Sequence, residues 1–195
     1  IMRWFISDLH FGHKNILRYQ ADTRTFASVE AMDEHMINMW NKHIKPKDTV
    51  YVVGDFSFYR DMEKNAELLS MLNGNKILIR GNHDIGGTKE YMDAGFSDVR
   101  DELIIKLSNA ESIFLKHYPY DSPWWVRLWY RLTGKLGVWK KYYALYPIDK
   151  GLWHVHGHHH GASRVSGRQI NVNVDSWDFK PVSETTICQI MRGKK

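Results

Sequence analysis

The sequence predicts an α/β fold in which two β-sheets pack together as a layered sandwich. Up to Gly95, apolar strand-like runs alternate with amphipathic helical patterns, as is typical of parallel strands joined by helices. Beyond Gly95, strand-like runs follow one another with few helices between them, which favours a second, more antiparallel sheet. The chain has 195 residues, of which 43% are hydrophobic, so it can bury an ordinary domain core.

The first half of the chain supplies the alternating elements. An apolar run over 2–7 predicts the first strand, which stops at Asp8. Apolar residues at helical spacing over 28–43 predict an amphipathic helix. The remaining elements of this half are a strand at 49–53, a helix at 61–72 and a strand at 76–80.

The second half is predicted to be mostly strand. The runs lie at 102–107, 112–116, 152–156, 169–174 and 185–191. The segment 121–150 stands between two of these strands and is dense in aromatic and basic residues. Since no repeat or linker interrupts the chain, we expect a single domain over 1–195 with an insert at about 121–150.

Composition and charge limit the partners, the kinds of site and the location that we expect for this chain. The net charge of +5 favours an anionic partner without naming one. The single cysteine, Cys188, excludes a disulfide framework and a zinc site with several cysteines. No apolar run approaches the ~20 residues of a membrane span, and no secretory signal pattern is found. A reducing, cytoplasmic location is the expectation.

Polar side chains cluster where the predicted strands end. In α/β sheets, ligands bind beyond the carboxyl ends of the strands, so these side chains are expected to meet. Imidazole, carboxylate and amide oxygen together suit divalent ions such as Mn, Fe, Ni or Zn. The candidates are too numerous for one ion, whereas two ions ~3.5–4 Å apart with one bridging carboxylate would use them all. They are Asp8, His10, Asp55, Asn82, His117, His158 and His160.

The order of these motifs resembles the calcineurin-like metallophosphoesterase superfamily. The resemblance covers residues 8–160, and the stretch SDLHFGHKNI is similar to a small group of bacterial and phage phosphoesterases with no settled substrate. Asp8-x-His10 and Gly54-Asp55 are weak signals alone, Gly81-Asn82-His83-Asp84 is fairly specific, and the ordered set is very specific. It implies a four-layer α/β/β/α sandwich of two mixed sheets. The motifs are Asp8-x-His10, Gly54-Asp55, Gly81-Asn82-His83-Asp84, His117 and Gly157-His158-His159-His160.

The resemblance also implies roles for single residues. Asp8, His10 and His160 would bind one ion. Asn82, His117 and His158 would bind a second ion, and Asp55 would bridge the two. His83 resembles the family's catalytic histidine, which acts as a general acid or stabilises charge on the phosphoryl group. Asp84 is expected to orient His83, with a turn cap as the alternative.

The implied reaction is hydrolysis of a phosphate ester by a dinuclear centre with a bridging hydroxide. Manganese is the first expectation for the two divalent ions, with Fe, Zn, Ni or Co as alternatives. Net positive charge and the aromatic-basic insert favour a phosphodiesterase over a phosphomonoesterase, acting on a nucleotide or a nucleic acid. The alternatives are a metal-stabilised interaction scaffold without activity, and a nuclease or lipid-phosphate variant of the same chemistry.

The roles of several residues near the predicted ligands remain open. His13 could donate to the substrate phosphate or pack in its loop, since Gly12 permits a close approach of the backbone. His159 is expected to point away from the metals, whereas His156 shares a face with His158 and could line the site. Three late polar residues are interpreted as strand and turn residues: Asn171, Asn173 and Asp175.

The insert carries a basic stripe. Arg127, Arg131 and Lys135 recur at a spacing of four, which places them on one helical face. One interpretation is a helix packed on the body or in a dimer interface. A second is a lid on which Arg127 and Arg131 bind substrate phosphate. A third is peripheral membrane contact through 124–143. The oligomeric state stays open.

Overall fold

Two mixed five-stranded sheets form the centre of the protein. The computed structural model describes residues 1–120, 124–135, 137, 145–160 and 163–193, with only the backbone at 124–127. The first sheet has the order β10-β1-β2-β3-β4, and β10 alone is antiparallel to its neighbour. Its strands are β1 (Arg3–Ile6), β2 (Thr49–Val52), β3 (Asn75–Ile79), β4 (Asp98–Arg100) and β10 (Val182–Ser183).

The second sheet has the order β5-β6-β7-β9-β8. Its central strands β6, β7 and β9 are parallel, and both outer pairs are antiparallel. The α/β class and the two mixed sheets are therefore confirmed. The strands are β5 (Leu103–Lys106), β6 (Ser112–Leu115), β7 (Trp153–His156), β8 (Val165–Ser166) and β9 (Gln169–Asn171).

The helices cover the first sheet and close the chain. Ser28 caps the second helix by accepting a hydrogen bond from the Ala31 N–H, and Asp61 caps the third by accepting one from Glu63. Met32, Met36 and Trp40 form the buried stripe of the second helix against the outer face of the sheet. The helices are α1 (Ile16–Tyr19), α2 (Val29–His43), α3 (Met62–Met71), α4 (Thr88–Ala94), α5 (Trp124–Leu132) and α6 (Glu184–Arg192).

The predicted strand at 185–191 is wrong, because this segment is helix α6. Thr185, Thr186 and Ile187 have β-branched side chains, which favour strands. The helix is instead set by its cap, since Ser183 accepts a hydrogen bond from the Thr186 N–H, and by a buried helical stripe that joins the core between the sheets. That stripe consists of Ile187, Cys188 and Met191. The strand predicted at 169–174 also ends early, at Asn171.

The carboxyl ends of both sheets meet at one edge of the molecule. The parallel register pairs Ile6 with Val52, so β1 and β2 end side by side. Ser7 links the sheets, since its N–H donates to Val172 O at 3.1 Å and its carbonyl accepts from the Val174 N–H. The loops that follow β1, β2, β3, β6 and β7 therefore converge in one region.

The described part of the insert is a helix with exposed apolar residues. Leu128, Trp129 and Leu132 of α5 are 42%, 52% and 77% exposed. Within the described residues, every helix is too short or too polar to cross a bilayer.

Candidate metal centre

Sharp turns at the strand ends place the predicted ligands. Asp8, His10, Asp55 and His158 all have positive φ angles, between 52° and 70°. Such a conformation is unusual for residues other than glycine, costs roughly 1–3 kcal/mol, and persists where the surrounding structure holds it. Here the loops hold each other, since the N–H groups of Asp8 and His10 donate to the carbonyls of Gly54 and Asp55, both at 3.0 Å.

Two glycines leave room for the ligands. A Cβ on Gly54 would lie 2.2 Å from Nδ1 of His117, and a Cβ on Gly157 would lie 2.3 Å from Oδ2 of Asp8. Either contact would push a ligand out of place. The Gly-Asp and Gly-His motifs therefore reflect close packing behind the ligands.

Three predicted ligands form a first cluster, the Asp8 group, which comprises Asp8, His10 and His160. Nε2 of His10 lies 3.2 Å from Nε2 of His160, which in turn lies 3.6 Å from Oδ1 of Asp8. Asp8 is fully buried, and Ser7 Oγ donates to its Oδ2 at 2.6 Å. The ligand atoms of the three side chains thus face a common point.

A buried ionic network supports the Asp8 group. Nδ1 of His160 lies 2.7 Å from Oδ2 of Asp175, which leaves Nε2 directed at the cluster. Arg24 is 1% exposed and donates to both carboxylate oxygens of Asp175, at 2.9 and 3.0 Å. Its guanidinium also donates to the carbonyls of Asp8 and Leu9. Arg24 therefore fixes both the ligand loop after β1 and the orientation of His160.

The other three ligands form the Asn82 group, which comprises Asn82, His117 and His158. Oδ1 of Asn82 lies 3.2 Å from Nε2 of His117 and 3.1 Å from Nδ1 of His158. His117 is buried and held from behind, since its Nδ1 lies 2.9 Å from the carbonyl of Val53. Asn82 is exposed and His158 half-buried, so this group faces the cleft.

Asp55 lies between the two groups. Its Oδ2 is 3.6 Å from Nε2 of His10 and 3.4 Å from Nε2 of His117. Its Oδ1 accepts a hydrogen bond from the His83 N–H at 2.9 Å. One oxygen is thus fixed to the backbone while the other faces both groups.

Asp84 holds the loop that carries Asp55, and its role in orienting His83 stays a prediction. Its carboxylate accepts hydrogen bonds from the backbone N–H groups of Gly81, Asp55 and Phe56 at 2.7–3.0 Å. The reason is local geometry, since the turn after β3 brings the side chain back onto the loop after β2. These contacts also fit the alternative of a turn cap.

The electrostatics suit a cation. Burial raises the pKa of Asp8, and the charge of Asp55 adds to that effect. Burial lowers the pKa of His10 to about 2, which keeps it in the neutral form that binds metals. Burial opposes protonation of His117, but the carboxylates of Asp55 and Asp8 outweigh it and raise its pKa to about 9. Positive charge is therefore favoured beside the two buried carboxylates.

The donor set fits divalent metal ions. Atoms bound to one ion at about 2.0–2.2 Å lie roughly 3 Å apart, close to the separations of 3.1–3.6 Å within the two groups and to Asp55. A trio of Asp8, Asp55 and His117 also has ligand atoms within 4.8 Å of one another. Oxygen and imidazole donors without thiolate suit Mn, Fe, Zn or Ni.

Aromatic rings form one wall of the cleft, whose volume is about 490 Å³. The rings of His13 and Phe58 stack, with centroids 3.6 Å apart, and Phe58 lies 4.6 Å from the ring of His83. The His83 side chain is 36% exposed, with Nε2 4.0 Å from Oδ2 of Asp55. His13 and His83 are therefore within the cleft, as their predicted roles require.

Two other histidines lie away from the predicted ligands. His156 is buried, its ring stacks on His154, and its Nδ1 lies 2.8 Å from the Gly157 carbonyl. It therefore lies outside the cluster. His159 is exposed and points away as expected, while its carbonyl accepts hydrogen bonds from Asn171 and Asn173.

Sequence reasoning missed the support of the ligands. Asp175 is more than a turn residue, because it holds His160, and Asn171 and Asn173 hold the loop that carries it. Arg24 was not predicted to take part. No periodic pattern or motif marks Arg24, whose partner Asp175 is 151 residues away in the chain.

The insert reaches the site at its end. The ring of Tyr146 contacts the rings of Tyr118 and His158, with centroids 5.5 and 5.8 Å apart. Arg131 is exposed on α5, whereas the side chain of Arg127 and the segment 138–144 lie outside the described residues. Substrate binding by Arg127 and Arg131 remains a prediction.

The chain is similar to known proteins over nearly its whole length. A profile of the family described as calcineurin-like phosphoesterase matches residues 3–184. The uncharacterized protein MJ1445 of Methanocaldococcus jannaschii is 31% identical over 98% of this chain and 92% of its own length. The gene 66 protein of Mycobacterium phage D29 is 28% identical over 93% and 92%.

A solved structure is also similar to this chain. The crystal structure of AQ665, a protein of unknown function from Aquifex aeolicus, has a TM-score of 0.70 to this one, with 29% sequence identity. The similarity covers 97% of this chain and 98% of the other. Because the family profile matches nearly the whole length of the chain, the chain belongs to the calcineurin-like phosphoesterase family.

Proposed function

We propose that the protein hydrolyses phosphodiesters at a centre of two divalent cations. Family membership supports metal-dependent phosphoester hydrolysis. The observation that carries the proposal is the position of Asp55 Oδ2, within 3.6 Å of a ligand atom from each group. Such a shared carboxylate suits two ions that lie close together.

Each group would hold one ion. Asp8, His10 and His160 would bind the first. Asn82, His117 and His158 would bind the second, and Asp55 would contact both. When bound, such ions neutralise charge on the phosphoryl oxygens and lower the pKa of a water that serves as nucleophile. Manganese is the first candidate, with Fe, Zn, Ni and Co as alternatives.

The residues around the ions position the substrate and move the proton. His83 is half-buried beside Asp55, and its Nε2 would donate a proton to the leaving oxygen. Phe58 packs against His83 and His13, which limits the rotation of both rings. His13 would donate a hydrogen bond to a non-bridging oxygen of the phosphate.

The test compares two substrates on one enzyme. Protein stripped of metal is refilled with Mn, Fe, Zn, Ni, Co or Mg, and its metal content is counted by mass spectrometry. Turnover of bis-p-nitrophenyl phosphate and of p-nitrophenyl phosphate is then measured side by side. We expect two ions per chain and faster cleavage of the diester. Preference for the monoester would indicate a phosphatase, and inactivity with both ions bound would favour the interaction scaffold.

A further inference from the structure

Three adjoining cavities form a groove along the carboxyl edge of the first sheet. The central cleft shares Asn15 with a cavity of about 500 Å³ and Asn82 with another of about 380 Å³. Asn15 follows β1 and Asn82 follows β3, with β2 between them in the sheet. The two flanking cavities therefore lie on opposite sides of Asp55, which follows β2.

Two cations line each flank. Lys14 and Arg18 line the first flank with a single carboxylate, that of Glu30. The second flank is lined by two cations, Arg80 and Lys116, and by one carboxylate, that of Asp101.

A phosphate would meet the cations of the two flanks in different states, because Arg80 of the second flank already lies 3.6 Å from the carboxylate of Asp101 and donates to Thr88 Oγ1. Lys14 and Arg18 are exposed. Nε of Arg80 is buried and has no hydrogen-bond partner among the described residues. Nζ of Lys116 lies 3.1 Å from Glu102, at 22% side-chain exposure.

Exposed apolar side chains accompany these charges. Tyr19 is 69% exposed and lines the central cleft beside Asn15. In the second flank, Leu145 is 58% exposed and lies with Tyr118 on the cavity wall. Tyr118 itself is buried, so Tyr19 is the exposed ring of the two. A basic groove with an exposed aromatic ring suits a single strand, in which bases are free to stack on side chains.

We infer that the groove binds a single-stranded nucleic acid across the metal centre. The scissile phosphodiester lies at Asp55, with neighbouring phosphates on Lys14 and Arg18 at one side and on Arg80 and Lys116 at the other. A mononucleotide would occupy one flank only, whereas a linear polyanion uses both. This inference rests on the proposed function and names its substrate class. In the reaction, water adds to phosphorus, one P–O ester bond breaks, and the leaving sugar oxygen takes a proton.

Binding is tested separately from cleavage. The Mn-loaded protein is titrated into a fluorescein-labelled phosphorothioate dT12, and fluorescence anisotropy is recorded at several salt concentrations. The first-flank variant is Lys14→Gln with Arg18→Gln, and the second-flank variant is Arg80→Gln with Lys116→Gln. The control, Lys45→Gln with Lys47→Gln, removes the same charge from the exposed turn before β2, at the opposite edge of the sheet.

We expect each flank variant to weaken binding about tenfold and to reduce the salt slope by about 1 to 2, because phosphate contacts release counterions. The control should stay within about twofold. Tyr19→Ala should also weaken binding, and Tyr19→Trp should preserve it, because stacking depends on the ring. A 12-base-pair duplex and a mononucleotide should compete poorly.

Specific outcomes would overturn the inference. These are unchanged binding in either flank variant, equal loss in the control, or equal binding of duplex. Circular dichroism melting identifies a variant that fails to fold, and Lys116→Gln alone then replaces the second-flank pair. Diester turnover by the wild-type enzyme is scored separately. Inactivity with flank-dependent binding would remove the proposed hydrolysis, whereas activity without flank dependence would remove only the substrate class.

Discussion

The Asp8 group and the Asn82 group differ in depth and in what holds them. Asp8 and His10 are 0% and 2% exposed, and His160 is fixed by the carboxylate of Asp175. In the Asn82 group, Asn82 is exposed and His158 half-buried. One group is thus anchored in the protein by charged partners, whereas the other opens to the cleft where substrate enters.

This difference predicts that the two groups of the proposed centre bind their ions with different affinities. A metal-bound histidine whose other ring nitrogen meets a carboxylate is held in one orientation and is a more basic ligand. His160 has such a partner in Asp175, whereas His117 has a backbone carbonyl, that of Val53. We therefore expect the ion of the Asp8 group to bind more tightly and that of the Asn82 group to exchange more readily.

We expect the largest effect from a substitution of Asp55, because this residue lies between the two groups. Asp55→Asn should lose metal from both, because the neutral amide no longer offers a charged oxygen to two ions. Metal content by mass spectrometry should fall well below that of the wild type, and diester turnover should fall by more than about 100-fold. Asp93→Asn, at an exposed carboxylate on α4, should change neither. A fully metallated, active Asp55→Asn would refute the bridging role.

The next effect should leave both groups intact. His83→Ala should lower kcat by two or more orders of magnitude, within the roughly 10²–10⁴-fold of general acid catalysis, while metal content stays at the wild-type level. Steady-state kinetics and metal analysis of the same sample check this. Unchanged turnover would exclude His83 from the mechanism, and loss of metal would make it a ligand.

A third variant addresses the Asp8 group alone. Asp175→Asn removes the charge beside His160 and Arg24, so we expect about 10–100-fold weaker binding of one ion and little change in the other. Calorimetric titration of metal into stripped protein should resolve the two steps. The matched variant Asp178→Asn, at an exposed carboxylate nearby, should titrate as the wild type does. If Asp175→Asn weakened both metal-binding steps equally, the predicted difference between the two groups would be wrong.

The smallest effect is a difference in rate. When the Mn-loaded wild type meets excess chelator, the ion of the exposed Asn82 group should leave first, on the order of tenfold faster, because fewer buried partners hold its ligands. Stopped-flow release should then show two phases of equal amplitude. A single phase would mean that the two groups hold their ions alike.

The sequence predicts those parts of the protein that depend on local patterns. Helix α2 follows from the spacing of Met32, Met36 and Trp40, and the ligands follow from short motifs at strand ends. Helix α6 could not be predicted in this way, because the β-branched residues at 185–187 favour a strand. The helix is favoured instead by its apolar stripe, which is buried in the core between the sheets.

The residues that hold the predicted ligands in place could not be predicted, because they contact the ligands from positions far away in the sequence. Arg24 and Asp175 meet only after the fold brings both beside the loop that follows β1. The contact of Asp84 with the loop that carries Asp55 was not predicted either, because the direction of its side chain depends on the turn after β3.

The wide spacing of the ligands along the chain has a consequence for how the protein acquires its cofactor. His10 and His160 lie 150 residues apart in sequence, and each cluster draws on loops from both sheets. Neither group is complete before β7 is made, because His158 and His160 both follow that strand, although Asp8, Asp55 and His117 precede it. We therefore expect full loading of both groups to follow folding, so that the metal supply met by the finished protein would decide which cation it carries.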